Sequence, residues 1–543
     1  MGDSEGNRSA GAPAWLAPLG LALVCVLAYG PSLGGGFLGY DDDWLIETSP
    51  VMHDASGAAL EAIVSDLGRP TRLVLGAEYL PVRDLVVWTS VRLVGFSAPG
   101  LRGIALGLYV LAVLAWHRWF ARLLGPGVGA ELAALAFALH PLHVESVAWL
   151  AGIKDVLALS FTGLALAVHA GEPSAKRRAV VTVLVLLACF SKAVSVVIPG
   201  LLLLHDLWAR RPVDRPTLAI AGLVAVLAAA FHAGLGARIG MFATMPGGDR
   251  LSALATMGPV LVRYLLRVVL VEPASLVYDV PERAITDPTA MIALAGVAFV
   301  LALAAVAWRG GQRAPLLVVA WMLVALAPVS QVLAPLQNRM ADRYLMVALA
   351  GPCLALGLLG PRLATPSARA LAAVALVLAL GTPTALRAVM FTQPIALWSE
   401  AAERAPRSPI PRYQLGVLLE ARDPELAELA YRDAVARSAE STIGRRAAVN
   451  LGVLLARRGR LDEAADVLTR AHADAPDDPR AAHDLAVVLD ARGEHDRARA
   501  LLLDVMTRAP AYLPARRSYA QRFGAPPTPE PAAARYDVGD RQF

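Results

Sequence analysis

Cysteine is scarce in this 543-residue chain, and lysine is absent from residue 395 to the end. The three cysteines, Cys25, Cys189 and Cys353, lie far apart, each inside an apolar run. That spacing excludes a disulfide framework and a cysteine metal cluster. Charged residues make up only 17% and aromatic residues 6%. No stretch interleaves basic and aromatic side chains, which excludes a nucleic-acid-binding stripe. Residues 395–543 hold 22 Arg and 22 Asp plus Glu, so their net charge is zero and the formal +5 belongs to residues 1–394. The pI of 9.2 therefore reflects where the basic loops of the first part lie, not affinity for a polyanion.

Apolar residues are plentiful, at 56%, and the mean hydropathy is +0.53, well above that of an ordinary soluble chain. Hydropathy predicts about eleven crossings, near 14–33, 103–121, 129–140, 153–170, 179–191, 194–208, 216–234, 289–308, 315–329, 344–360 and 368–386. The first reads as a retained anchor, because Gly34-Gly35-Gly36 follows it instead of a small-x-small cleavage site. The loops carrying Arg118/Arg122, Lys176/Arg177/Arg178, Arg210/Arg211/Arg215, Arg309/Arg313 and Arg362/Arg369 alternate so as to share one side. The positive-inside rule makes that side cytoplasmic, which puts the loop at 34–100 and everything after 395 outside. The apolar stretch 256–271 breaks this alternation if it crosses. It reads as a helix in the outer leaflet, with Arg263 and Arg267 stacked on one face either to snorkel or to meet lipid phosphate.

After 395 the pattern becomes soluble and amphipathic, and a period of 34 emerges. Gly452 recurs as Ala486, Gly459 as Gly493, Ala464 as Ala498 and Pro476 as Pro510. This is the tetratricopeptide period, a helix-turn-helix unit. Leu415-Gly416 opens an earlier, imperfect unit. The expected fold is all-α: a multi-pass transmembrane bundle over 1–394, a short tetratricopeptide α-solenoid over 395–523, and a disordered Pro/Ala-rich tail over 524–543.

Tyr40-Asp41-Asp42-Asp43 stands at the outer mouth of the first crossing. Carboxylates beside hydrocarbon are costly to keep charged, so a chain that places them there uses them. Their position points to chemistry at the membrane surface. Further motifs follow in order: Tyr79-Leu80-Pro81-Val82, the run His140-Pro141-Leu142-His143-Val144-Glu145-Ser146-Val147-Ala148-Trp149, Lys154-Asp155-Val156-Leu157, Ser191-Lys192 and Met340-Ala341-Asp342-Arg343-Tyr344, all ahead of the repeats. In this order they resemble the bacterial relatives of the transmembrane and tetratricopeptide-containing O-mannosyltransferases, which have a GT-C glycosyltransferase core. The resemblance covers nearly the whole chain. It departs at the second crossing, where Leu101-Arg102 and Tyr109 stand in place of a His-rich stretch, and after Lys192, where Ala193 follows.

The resemblance implies a polyprenyl-phosphate sugar donor and a protein Ser/Thr hydroxyl acceptor at the outer face of the cytoplasmic membrane. Of Asp41 and Asp42, one serves as the general base and the other orients or holds a metal; a solvated turn is the bland alternative. Asp43 is loop filling. Lys192, Arg343 and Arg263 are the candidate phosphate-binding cations, against snorkelling anchors. Tyr79, His140, His143, Glu145, Lys154 and Asp155 are candidate substrate contacts. For the two histidines a structural loop and a metal site also stand, and for Lys154 and Asp155 an ion pair at a helix end does. Need for a divalent metal stays open. The expected partners are the lipid donor, the membrane and a protein acceptor held by the repeats. Two rivals remain: a polyprenyl-lipid transporter or flippase, which calls for charges deep in several helices, and a membrane-anchored scaffold, which calls for scattered polar residues.

Overall fold

The computed structural model describes residues 15–526 apart from 242, 273, 439, 440 and 511; the described residues form helices and turns with no strand among them. Most of the tail read as disordered, from 527, lies outside the described residues, as do residues 1–14.

Among the described residues, seven helices are long and apolar enough to cross a membrane: Leu16–Gly34, Ala98–Leu124, Leu150–His169, Arg215–Ile239, Arg250–Val269, Pro288–Arg309 and Pro366–Met390. Val128–Leu139, Ala193–Trp208 and Ala314–Val329 are shorter apolar helices, too short to span alone without tilt or a thinned bilayer. The sequence pattern sets their starts. Ser97, Asp214 and Asp287 each accept a backbone N–H in the first turn of the helix that follows. Leu223, Val226 and Leu227 leave an apolar stripe on Arg215–Ile239 uncovered, and Ile292, Phe299 and Val306 do so on Pro288–Arg309. Water disfavours such stripes and hydrocarbon does not, so this is a membrane protein. Arg250–Val269, read from sequence as lying in the leaflet, has the length to cross; its Arg267 is buried while Arg263 stays exposed.

Trp116, Trp119, Phe120, Phe137 and Trp321 interlock inside the bundle. Gly163 permits this, because a Cβ there comes 2.8 Å from the Trp116 ring. At the other end of the Leu150–His169 helix, Asp206 accepts from His169 Nε2 at 2.9 Å, Arg211 Nε at 2.6 Å and the Asp214 amide at 3.0 Å, and Arg177 pairs with Asp214. Two of the basic loops are therefore tied down by carboxylates. The 34–100 loop is itself helical, with Gly57–Val64 and Pro81–Val94 as its longest pieces. Buried Arg102 staples it, donating to the carbonyls of Gly35, Gly36 and Ala148.

The C-terminal part folds as the helix pairs Ile410–Leu419 with Pro424–Arg437, Thr442–Arg457 with Leu461–Asp474, and Pro479–Ala491 with His495–Arg508, followed by Leu513–Phe523. The imperfect first repeat forms a full pair. Close approach explains the small residue in each first helix. A Cβ on Gly416 meets the Tyr431 ring at 2.4 Å, and one on Gly452 meets Leu468 at 2.5 Å. Gly452→Ala is therefore expected to lower stability by about 1–3 kcal/mol through overpacking, read as a lower melting temperature of the purified protein. An unchanged melting temperature contradicts this packing.

The helix Pro394–Arg404 joins the two parts. Arg387 pairs with Glu400, the Arg404 guanidinium donates to the Ala274 carbonyl at 3.3 Å, and the Arg407 amide donates to Asp279 at 2.9 Å. The segment that leads into the first repeat is thus tied to the loops of the membrane part.

Candidate active site

Two turns of the same kind present the first acidic groups. Gly39 and Tyr40 have φ of 70° and 56°, and Gly76 and Ala77 have φ of 94° and 56°. A left-handed non-glycine residue costs about 1–3 kcal/mol and persists where its surroundings enforce it, often at functional sites. At Gly76 a Cβ is also crowded, since it comes 3.1 Å from Leu45 and 3.3 Å from the Arg83 guanidinium. Asp41 follows the first turn and Glu78 the second.

Asp41 faces a partly open cavity whose wall includes Tyr40, Glu145, Trp149, Arg343, Trp398 and Ile410. Tyr40 stacks on Trp149 with ring centroids 6.0 Å apart and meets Trp398 edge-on at 5.6 Å. A second cavity is lined by Asp155, Lys192, Arg343 and Tyr344, by Thr162 and Ser195, and for the rest by apolar residues such as Val194, Val197, Ala325, Val329 and Val347. Arg343 lines both.

The cations around these cavities are paired. Arg343 pairs with Glu145, whose other oxygen accepts the Arg343 backbone amide at 3.3 Å. Lys192 pairs with Asp155, and Lys154 with Glu78 at 2.7 Å. The Lys192 ammonium and the Arg343 guanidinium lie over the Tyr344 ring, at 5.7 and 5.4 Å from its centroid. Burial acts against Glu78, yet Lys154 and Arg83 hold its carboxyl down at about 2. No ion pair of Asp41 occurs among the described residues. Burial raises its carboxyl above the ordinary value, Lys154 and Arg343 offset part of that, and Glu78 adds to it.

Asp42 differs from its neighbour. It is fully buried, and its two oxygens accept the backbone amides of Ala151 at 2.9 Å and Leu38 at 3.3 Å. Burial outweighs those bonds and brings its carboxyl up to about 7. Asp42 fastens the acidic loop to the segment after Trp149, while Asp41 points into the cavity. Asp43 is exposed.

The remaining candidates divide. Glu145, Lys154, Asp155, Lys192 and Arg343 converge with Asp41. His140 and His143 do not line either cavity: His140 Nε2 meets the Val268 carbonyl at 3.2 Å, and His143 Nδ1 meets the Tyr109 hydroxyl at 2.6 Å. Their partners lie on different helices, and no group of three His, Cys, Asp or Glu side chains among the described residues is placed to hold a metal ion. Tyr79 turns away, donating to the Val64 carbonyl at 2.6 Å with its ring against Phe190 and Phe231. Arg263 is half-exposed, stacks on Tyr278 at 5.0 Å and reaches Glu272 at 4.0 Å. Its neighbour Arg267 is the buried one, gripping Asp342 at 3.0 Å beside the Tyr278 hydroxyl. Sequence reasoning missed Glu78, one residue before the Tyr79 that it chose, and it missed Trp398 and Ile410. Two signals pointed to this place. Gly76-Ala77-Glu78 echoes Gly39-Tyr40-Asp41, and the chain's lysines are just Lys154, Lys176 and Lys192, two of them here.

The solenoid has a counterpart among known families: residues 455–520 match the family model described as tetratricopeptide repeat. Repeats of this kind present surfaces to other proteins. A longer stretch is similar to Protein O-mannosyl-transferase TMTC1 of Homo sapiens, 31% identical over 163 residues. That alignment takes in 29% of this chain and 18% of the human protein, so the chain matches less than a fifth of its relative's length.

Proposed function

We propose that this protein is an integral-membrane glycosyltransferase of GT-C type that moves a sugar from a polyprenyl-phosphate donor to a hydroxyl of a protein acceptor. The observation that carries the reading is Arg343, shared by a cavity holding Asp41 and Glu145 among aromatic side chains and a largely apolar cavity holding Lys192. The donor phosphate sits between Arg343 and Lys192, whose charges are already balanced by Glu145 and Asp155 and are held in place by them. The polyprenyl chain follows Val194, Val197, Ala325 and Val329, and the sugar lies in the aromatic chamber of Tyr40, Trp149 and Trp398. Asp41 takes the proton of the acceptor hydroxyl as its oxygen bonds to the anomeric carbon. The bond from that carbon to the phosphate oxygen breaks, its electron pair goes to the phosphate, and the two cations stabilise the charge that develops there. Glu78 holds Lys154 beside Asp41.

Convergence of these groups on one place favours an enzyme over a scaffold, and their clustering in two cavities that share Arg343 favours it over a flippase. The resemblance to O-mannosyltransferases supports mannose as the sugar. The alternation of basic loops along the sequence supports a cytoplasmic N-terminus and inner membrane, with the repeats outside the cytoplasm, where they recruit the acceptor. The test supplies the purified protein in liposomes with a panel of polyprenyl-phosphate sugars and a protein extract, and reads the products by mass spectrometry. A hexose on Ser or Thr is the expected outcome. No sugar moved to any protein or to water, from any donor, ends the proposal, and acceptor binding without transfer returns the scaffold reading.

A further inference from the structure

The repeats do more than stand beside the chamber, because they supply part of its wall. Ile410, in the first helix of the first pair, lines the cavity that holds Asp41. Its counterparts in the next two pairs are Arg446 and Arg480, each six residues before the small residue (Gly416, Gly452, Ala486) that packs its pair. Stacked repeats set equivalent positions in a row along the inner face. The electrostatics agree with that placement. The charge of Arg446 acts on Tyr40 at the chamber and on Tyr413 and Arg480 along the row. Arg480 pairs with Asp478 at 2.6 Å and also acts on Tyr413. Farther along, His483 meets Asp484 at 2.9 Å and Ser518 at 2.8 Å. Arg446 and Arg480 therefore stand at successive positions of a row that starts at the cavity with Ile410.

We infer that this row is the acceptor track, and that it selects an extended polypeptide carrying carboxylate side chains next to the hydroxyl to be modified. The inference rests on the acceptor reading above. With the hydroxyl at Asp41, the following residues pass Tyr40 and Trp398 and run along Ile410 and Tyr413, and their carboxylates meet Arg446 first and Arg480 second. Arginine suits this role because its planar fork binds carboxylate in bidentate fashion. Asp478 keeps Arg480 aligned for it.

The experiment measures binding, so it needs no donor. Full-length protein in detergent is titrated against two fluorescein-labelled peptides that are identical except that Asp residues after a single Ser are replaced by Asn. The Asp peptide is expected to bind about tenfold more tightly, the scale of one charged hydrogen bond, with the difference shrinking at high salt. Arg446→Gln should erase the preference and Arg446→Lys should keep part of it. Arg497→Gln, on an outer helix with its side chain 71% exposed, should leave it intact. Equal binding of the two peptides by the wild-type protein overturns the inference, as does a preference that survives Arg446→Gln together with Arg480→Gln. Failure of the function reading looks different: the Asp preference persists and tracks Arg446, but no sugar is ever transferred.

Discussion

Asp41→Asn is expected to fold, insert and lose sugar transfer by about two orders of magnitude or more, the scale of a missing general base. Asparagine keeps the shape of the side chain and its contact with Trp44 but cannot take the acceptor proton. The neighbouring change should behave differently. In Asp42→Asn one of the two backbone amides that the carboxylate accepts faces an NH₂ donor instead. That variant should lose about 1–3 kcal/mol of stability, the cost of a buried unsatisfied group. Melting temperature and activity measured side by side separate the two residues. The pH profile adds a sign. Burial raises the Asp41 carboxyl, and activity requires it ionised, so transfer should rise with pH along a limb above the ordinary carboxylate range. Lys154 opposes that rise, and Lys154→Met should shift the limb further up. A limb that stays put, or full activity in Asp41→Asn, assigns the base elsewhere.

Arg343 is expected to have the second largest effect. Removing a group that stabilises leaving-group charge costs about 10²–10³ in kcat. The single change Arg343→Gln confuses two effects, because it strands buried Glu145 without its partner, and breaking a buried pair destabilises by about 3–5 kcal/mol. The double change Arg343→Gln with Glu145→Gln removes both charges together. It should melt near the wild type and still be inactive, whereas Arg343→Lys should retain intermediate activity. A double variant that transfers sugar at the wild-type rate removes Arg343 from the chemistry.

Much of this architecture is legible in the chain because it rests on local rules. The repeats announce themselves through Gly452 and Ala486, where only a small residue lets paired helices close, and the membrane helices through apolar runs. Asp41 is legible because three carboxylates beside hydrocarbon need a reason. What escapes is the distribution of roles among groups brought together by folding. Glu145 and Arg343 are 198 positions apart, and nothing local in either says that they pair. Asp41 and Asp42 look equivalent in sequence; only the turn at Tyr40 sends one to the cavity and the other to the amides of Leu38 and Ala151. Arg263 and Arg267 stack on one face in a helical projection, yet Asp342 singles out Arg267. Trp398 and Ile410 enter the wall from the soluble part, which composition alone keeps separate from the membrane part.

The central claim is that one reaction centre spans the two cavities, with Arg343 between them. A photoactivatable polyprenyl phosphate, incorporated into nanodiscs with the wild-type protein and mapped by peptide mass spectrometry after illumination, tests it most directly. Label is expected on the segments holding Val194–Val197 and Met346–Val347, reduced by an excess of unlabelled polyprenyl phosphate and by Lys192→Met. Label confined to the lipid-facing stripes of Arg215–Ile239 and Pro288–Arg309, unaffected by competitor or by Lys192→Met, contradicts it.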